Sequence, residues 1–264
     1  KGDLNDVVTN NSPIDIDKLI EGTNEILSAN RNSLQLFDML HSMRQFDDLT
    51  YVHSVNVALI ASILGQWLKF SEKDIRILTI SGLLHDIGKI MIPNEILTKP
   101  GKLTVAEYNI MKQHVNFGYE KVKNQNIDIR IKEACLLHHE KCDGTGYPFG
   151  LKSDHIPAVA KIIAIADVYD AMTSARVYRG ALCPFEVIDT MYKDAFTKFE
   201  PEYILPFLKN VASSYINNDV RLSDGRIGKV VLINENALSL PIVQCEDEFI
   251  DLSKTRGLTV SAIL

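Results

Sequence analysis

What the chain lacks narrows it first. It holds four cysteines in 264 residues (Cys135, Cys142, Cys183 and Cys245), and no two of them form a C-x-x-C pair. So sparse a set builds no disulfide scaffold, and it points to a reducing, cytoplasmic setting. No apolar run reaches about 18 residues, so no membrane span is expected. No secretory leader opens the sequence. Positive charge is short as well. The net charge of −6 repels extended polyanions and disfavours binding along nucleic acid. A small anionic ligand stays open where metals or local cations offset that field. The chain begins at Lys1 rather than methionine, so a fragment with more chain upstream is expected. Internal repeats and low-complexity stretches are also missing.

What is present is apolar material, 46% of residues, enough for one large core with a small appendage or for two modest domains. Residues 13–46 read as one or two helices through Leu19, Ile26, Leu36 and Leu40. Val52, Val55, Leu59, Ile63 and Trp67 recur at steps of three and four, predicting a helix over 50–69. Ser71 is placed to cap a helix running to about Lys89. Thr104 and Glu107 form a capping-box pattern for a helix to about Val122. Further helices are expected over 127–140 and 158–174, and Pro184 and Pro201 suit the first turns of two more. After Asn217 the texture changes. "VRLSDGRIGKVVLI", "PIVQC" and "EFIDL" carry β-branched runs and an Asp-Gly turn. The expected fold class is mainly α with a small C-terminal β-meander capping the helical body. The chain divides into 1–47, 48–217 and 218–264.

Histidine and aspartate interrupt the apolar stripes. His53 sits beside the first stripe. Ile75, Leu78 and Gly82 lead to His85 and Asp86, with Lys89 three residues on. His114 follows Met111, and Gly118 leaves room one turn later. Ile131, Ala134 and Cys135 lead to His138 and His139. Val159 and Ile163 lead to Asp167, with Asp170 one turn beyond. Any one of these alone reads more simply as a hydrogen-bonded core residue. Together they would bury several carboxylates and imidazoles without compensation. A shared pair of divalent cations resolves that cost. Mixed imidazole and carboxylate ligands suit iron, manganese or zinc rather than magnesium or calcium. Seven ligands (His53, His85, Asp86, His114, His138, His139 and Asp167) then make a dinuclear site, with an aspartate next to a histidine free to bridge.

"HDIGK" at 85–89, "HHEKCDGTGYP" at 138–148 and "IADVYDAMTSARVYR" at 165–179 resemble the HD-GYP family, a subgroup of HD-superfamily metal-dependent phosphohydrolases. The likeness covers about residues 50–215. It implies an HD-type helical bundle that hydrolyses cyclic di-GMP to linear pGpG or on to GMP, with metal ligands on the same seven residues and Asp86 as the bridge. It implies that Lys89 contacts the scissile phosphate, that Tyr147 contacts the ligand, and that Arg176 and Arg179 hold phosphates. Asp170 is grouped with these as substrate-binding, and Lys89 and Asp86 as catalytic. The expected cofactor is two divalent ions, iron or manganese first, with zinc, cobalt or nickel as substitutes. Two departures stand out. Some members carry a glutamate that supports a third metal where this chain has Leu49, which cannot ligate. Two metals and a linear product without efficient second cleavage are therefore expected. Lys141 stands where arginine is common and loses a fork of donors. Cys142 reads as a passive small residue. Rival readings are a catalytically weak cyclic-dinucleotide receptor and a phosphohydrolase of another cyclic dinucleotide. A homodimer through the N-terminal helices, or an upstream sensor domain, is the partner expectation.

Overall fold

Serine, threonine, aspartate and proline mark where the helices begin. The structure is a computed structural model that describes residues 49–174 and 182–264, together with Asp15, Asp17, Glu21, Thr23 and Glu25. The N-terminal helices expected before residue 48 fall, apart from those five positions, outside the described residues. Arg176 and Arg179 and the side chain of Leu49 fall outside them too. Helix α1 spans Leu49–Trp67. Ser71 caps α2, Glu72–Leu84, accepting from the Asp74 N–H at 3.2 Å. A 3₁₀ turn, Ile87–Met91, and short α3, Asn94–Leu97, follow. Thr104 and Glu107 close the predicted capping box on α4, Val105–Met111. Then come α5, His114–Val122, and α6, Ile129–Leu137, which Asp128 caps. Helix α7 is Ala158–Thr173. Helices α8, Pro184–Asp194, and α9, Pro201–Ser214, each open on the expected proline.

Three expected boundaries shift. The helix from Ser71 ends at Leu84, so His85 and Asp86 lie beyond its last turn. The helix from Thr104 is two helices, interrupted at Lys112 and Gln113. The helix expected over 127–140 ends at Leu137, just before the paired histidines. In each case the regular helix stops beside a histidine of the cluster, although His85, Lys112, Gln113 and His138 keep right-handed helical dihedrals.

Helix α1 packs on both α2 and α7. Gly82 permits the first contact, because a Cβ there would come within 2.5 Å of Ala58 Cα. Tyr169 of α7 meets Phe207 of α9 edge-on at 5.2 Å, and Trp67 closes the group against Phe207 at 6.3 Å. Fully burying such rings contributes about 2–3 kcal/mol each.

After Asn217 the chain forms five short strands: β1 Asp219–Leu222, β2 Ile227–Leu232, β3 Ile242–Cys245, β4 Glu248–Asp251 and β5 Val260–Ile263. Their order is β4-β3-β2-β1-β5, antiparallel throughout. The first four strands form the expected meander, and β5 returns to the far side of β1. Gly225, at φ +93°, supplies the Asp-Gly turn between β1 and β2. The inward residues Val220, Val230, Val243 and Ile250 join the same apolar core as the helices.

Candidate metal centre

Five elements deliver the seven predicted side chains to one place. His53 comes from the first turns of α1, His85 and Asp86 from the end of α2, and His114 from the start of α5. His138 and His139 come from the end of α6, and Asp167 from the middle of α7. Ligand atoms of His53, His85 and Asp86 lie within 4.8 Å of one another, and so do those of Asp86, His114, His138 and His139. Asp86 belongs to both groups. Its Oδ1 is 3.3 Å from His114 Nε2 and 3.8 Å from His138 Nε2. Its Oδ2 is 3.3 Å from His85 Nε2 and 3.6 Å from His53 Nε2. Asp167 reaches His53 Nε2 at 3.1 Å through Oδ1 and His139 Nδ1 at 3.8 Å through Oδ2.

The rings are aimed by their opposite nitrogens. The Nδ1–H groups of His85, His114 and His138 donate to the carbonyls of Gly82 at 2.7 Å, Met111 at 2.8 Å and Ala134 at 2.9 Å. His85 and His114 each reach the carbonyl three residues before them, and His138 the one four before. His53 Nδ1 pairs with Asp170 Oδ2 at 2.7 Å. All four rings thus turn Nε2 to the centre, the arrangement in which an outer partner fixes tautomer and direction.

Electrostatics put three of the imidazoles and both carboxylates in ligand form, and leave His53 charged until an ion displaces its proton. Burial holds His114 below its ordinary value, takes His139 down to about 3, and holds His138 well below its ordinary value with help from the neighbouring His139 and His85. These imidazoles are neutral and keep a lone pair. Burial would raise the Asp86 carboxyl, but Lys89 and then His85 hold it well below the usual range. Burial likewise opposes Asp167, and the bond from His53 and the nearby His139 pull it well below that range. For His53, burial works against the charged ring, yet the bonds to Asp167 and Asp170 raise it to about 9. Lys89 lies against Asp86 Oδ2.

A glycine-rich loop walls the centre. Tyr147 stacks on His139, centroids 4.7 Å apart, and its N–H reaches the His139 carbonyl at 3.2 Å. Gly146 fits there because a Cβ would come within 2.4 Å of Lys141 N. Glu140, buried and unremarked in the sequence reading, accepts the N–H groups of Phe149 at 2.7 Å, Gly150 at 3.1 Å and Leu151 at 2.9 Å. Burial raises the Tyr147 phenol, which therefore stays a donor.

Asp170, grouped in the sequence with the substrate-binding residues, is placed as the outer partner of His53. It is 1% exposed, with Oδ2 taken by His53 and Oδ1 accepting from Asn56 at 2.9 Å and Ser174 at 3.2 Å. It stands behind His53, not beside the open side of the centre. Cys142, part-buried, has its thiol pKa raised by burial, consistent with a passive side chain.

The donor set fits a divalent ion on the structure's own terms. His85 Nε2 and Asp86 Oδ1 are buried without a hydrogen-bond partner. Such orphaned nitrogen and oxygen atoms, converging on one another, are what a cation with mixed ligands satisfies.

Fold and site together define a helical protein with a buried histidine–aspartate cluster that could hold metal. A family model described as HD domain matches residues 23–203, and the chain belongs to that family. Its likeness to the HD-GYP subgroup rests on relatives as well as motifs. The chain is 36% identical over 203 residues to the cyclic di-GMP phosphodiesterase PA4108 of Pseudomonas aeruginosa, a match covering 76% of this chain and 49% of that protein. It is 36% identical to the cyclic di-GMP phosphodiesterase response regulator RpfG of Xanthomonas campestris pv. campestris, over 74% of this chain and 52% of that one. The chain thus spans about half the length of the curated relatives it matches. Among solved structures, an HDG"Y"P protein from Bdellovibrio bacteriovorus shares the fold with a TM-score of 0.59 at 22% identity, covering 73% of this chain and 60% of that chain. Among the described residues no helix is long and apolar enough to cross a membrane.

Proposed function

We propose that this chain is a metal-dependent phosphodiesterase that opens cyclic di-GMP to linear pGpG at a two-metal centre. The observation that carries the reading is the carboxylate of Asp86, which belongs to both donor groups. His53, His85 and Asp167 would complete one ion's ligands, and His114, His138 and His139 the other's. When bound, the ions lower the pKa of water toward neutrality and set positive charge against the phosphate. Iron or manganese suits this mixture of ligands best.

The protein's own residues supply the rest. Lys89, released from Asp86, neutralises charge that grows on a non-bridging phosphate oxygen. Tyr147 keeps its proton and donates to the ligand from the wall. Arg176 and Arg179 hold the second phosphate and keep the ring in register. These local cations overcome the chain's net negative charge. Leucine at position 49 withholds a third carboxylate, which limits the centre to two ions and favours the linear product. In this reading residues 48–217 are the catalytic body, residues 218–264 cap it, and the N-terminal segment serves a second copy or an upstream sensor in the cytoplasm.

Protein purified without oxygen should carry two equivalents of metal per chain and convert cyclic di-GMP to pGpG with added manganese or ferrous iron. Asp86→Ala should lose metal and turnover together. Lys89→Ala should keep its metal and turn over about 100-fold more slowly. Tight binding without turnover would make the chain a receptor, and faster cleavage of a hybrid cyclic dinucleotide would reassign the substrate. Full activity in Asp86→Ala would end the proposal.

A further inference from the structure

The loop of residues 141–152 is held to the centre by the His139 carbonyl, which takes the Tyr147 N–H, and along its returning arm by Glu140, which takes the N–H groups of residues 149–151. Its outer end is fastened by residues far from any motif. Ser153 opens a 3₁₀ turn, Ser153–His155, where the loop leaves the wall. Lys161 of α7 donates to Ser153 Oγ at 2.8 Å and to Glu200 Oε2 at 2.6 Å, and the Ser153 hydroxyl donates to that same Glu200 oxygen. Glu200 immediately precedes α9. The neighbouring backbone adds two ties: Cys142 N–H reaches the Lys198 carbonyl at 3.0 Å, and Ser153 N–H reaches the Cys142 carbonyl at 3.1 Å. An antiparallel bridge between Asp143 and Lys152 then draws the two arms of the loop together.

Lys161 is six positions before Asp167 on the same helix, so its cluster joins the loop to a ligand-bearing element. We infer that Glu200 is a positioning residue, which through Lys161 and Ser153 fixes the loop carrying Tyr147 as the substrate wall. The inference rests on the phosphodiesterase reading for its substrate but not for its geometry. Glu200 touches neither the metal ligands nor Lys89. Its removal frees Ser153, where the loop leaves the wall, while Glu140 still holds residues 149–151 and the His139 carbonyl still takes the Tyr147 N–H.

The test compares two substrates and one structural readout in the full chain. In Glu200→Ala, KM for cyclic di-GMP should rise about tenfold with kcat changed less than about twofold, the pattern of lost uniform binding through a charge-assisted hydrogen bond. Turnover of bis(p-nitrophenyl) phosphate, too small to need the wall, and bound metal should match the parent. Glu200→Gln, which can keep the bond to Ser153 but loses the ion pair, should fall between. Trypsin should cut faster after Lys141 and Lys152, both exposed on the loop, with no faster cutting in the sheet. Unchanged KM and unchanged loop cleavage would overturn the inference. So would an equal fall for both substrates with lost metal, which marks general destabilisation. If the parent cleaves neither substrate, the phosphodiesterase reading fails and the trypsin comparison alone decides the positioning role.

Discussion

Asp170 gives His53 its direction. One carboxylate oxygen takes the ring's Nδ1, and the other is pinned by Asn56 and Ser174. Asp170→Asn keeps the shape but removes the charge that orients and polarises the imidazole. Metal affinity measured by calorimetry should fall about 10- to 100-fold, with the fold retained by circular dichroism. At this scale the sequence was informative wherever an ionisable residue broke an apolar stripe, and all seven expected ligands converge for that reason. It was uninformative about Asp170, because that role depends on what faces it from α1, 117 residues away. Glu140 was missed differently: its three partners are backbone N–H groups, and a sequence does not display those.

Helix ends, more than helix interiors, build the centre. Gly88 lets the 3₁₀ turn after Asp86 lie against α5; a Cβ there would sit 2.0 Å from the His114 carbonyl and 2.4 Å from Gly118 N. Both are backbone atoms, so Gly88→Ala must push α5 outward. The expected cost is about 1–3 kcal/mol in urea unfolding, accompanied by metal loss on the His114 side. Helix α4 is controlled by its cap. Glu107, salt-bridged to Lys99 and bonded to Thr104, titrates at about 2 rather than at 4.5. A depressed carboxyl stabilises the folded form above its unfolded value, and that contribution disappears as pH falls from about 4.5 toward 2. Amide exchange in residues 105–111 should therefore quicken over that interval, and Glu107→Gln should flatten the change. Caps and first-turn prolines made helix starts legible. The ends at Leu84 and Leu137 and the break at Lys112 were not, since no glycine or proline marks them and the aiming of histidines decides them.

In the whole molecule, the centre ties helices that are far apart along the chain, so ion binding and folding are linked. An ion that binds only the folded form stabilises it by about 2.7 kcal/mol at a hundredfold excess over Kd. For a chain of this size that is a rise of about 5–10 °C in Tm on adding manganese, reversed by chelator and absent in Asp86→Ala. The sheet's part was partly readable: alternation and the Asp-Gly turn disclosed the strands, but the return of β5 to β1 follows from tertiary packing alone. The span from His53 to Asp167 has one more consequence. The donor group of Asp86, His114, His138 and His139 is complete in sequence once α6 has left the ribosome, whereas the side of the centre built on His53 and His85 waits for α7 to bring Asp167.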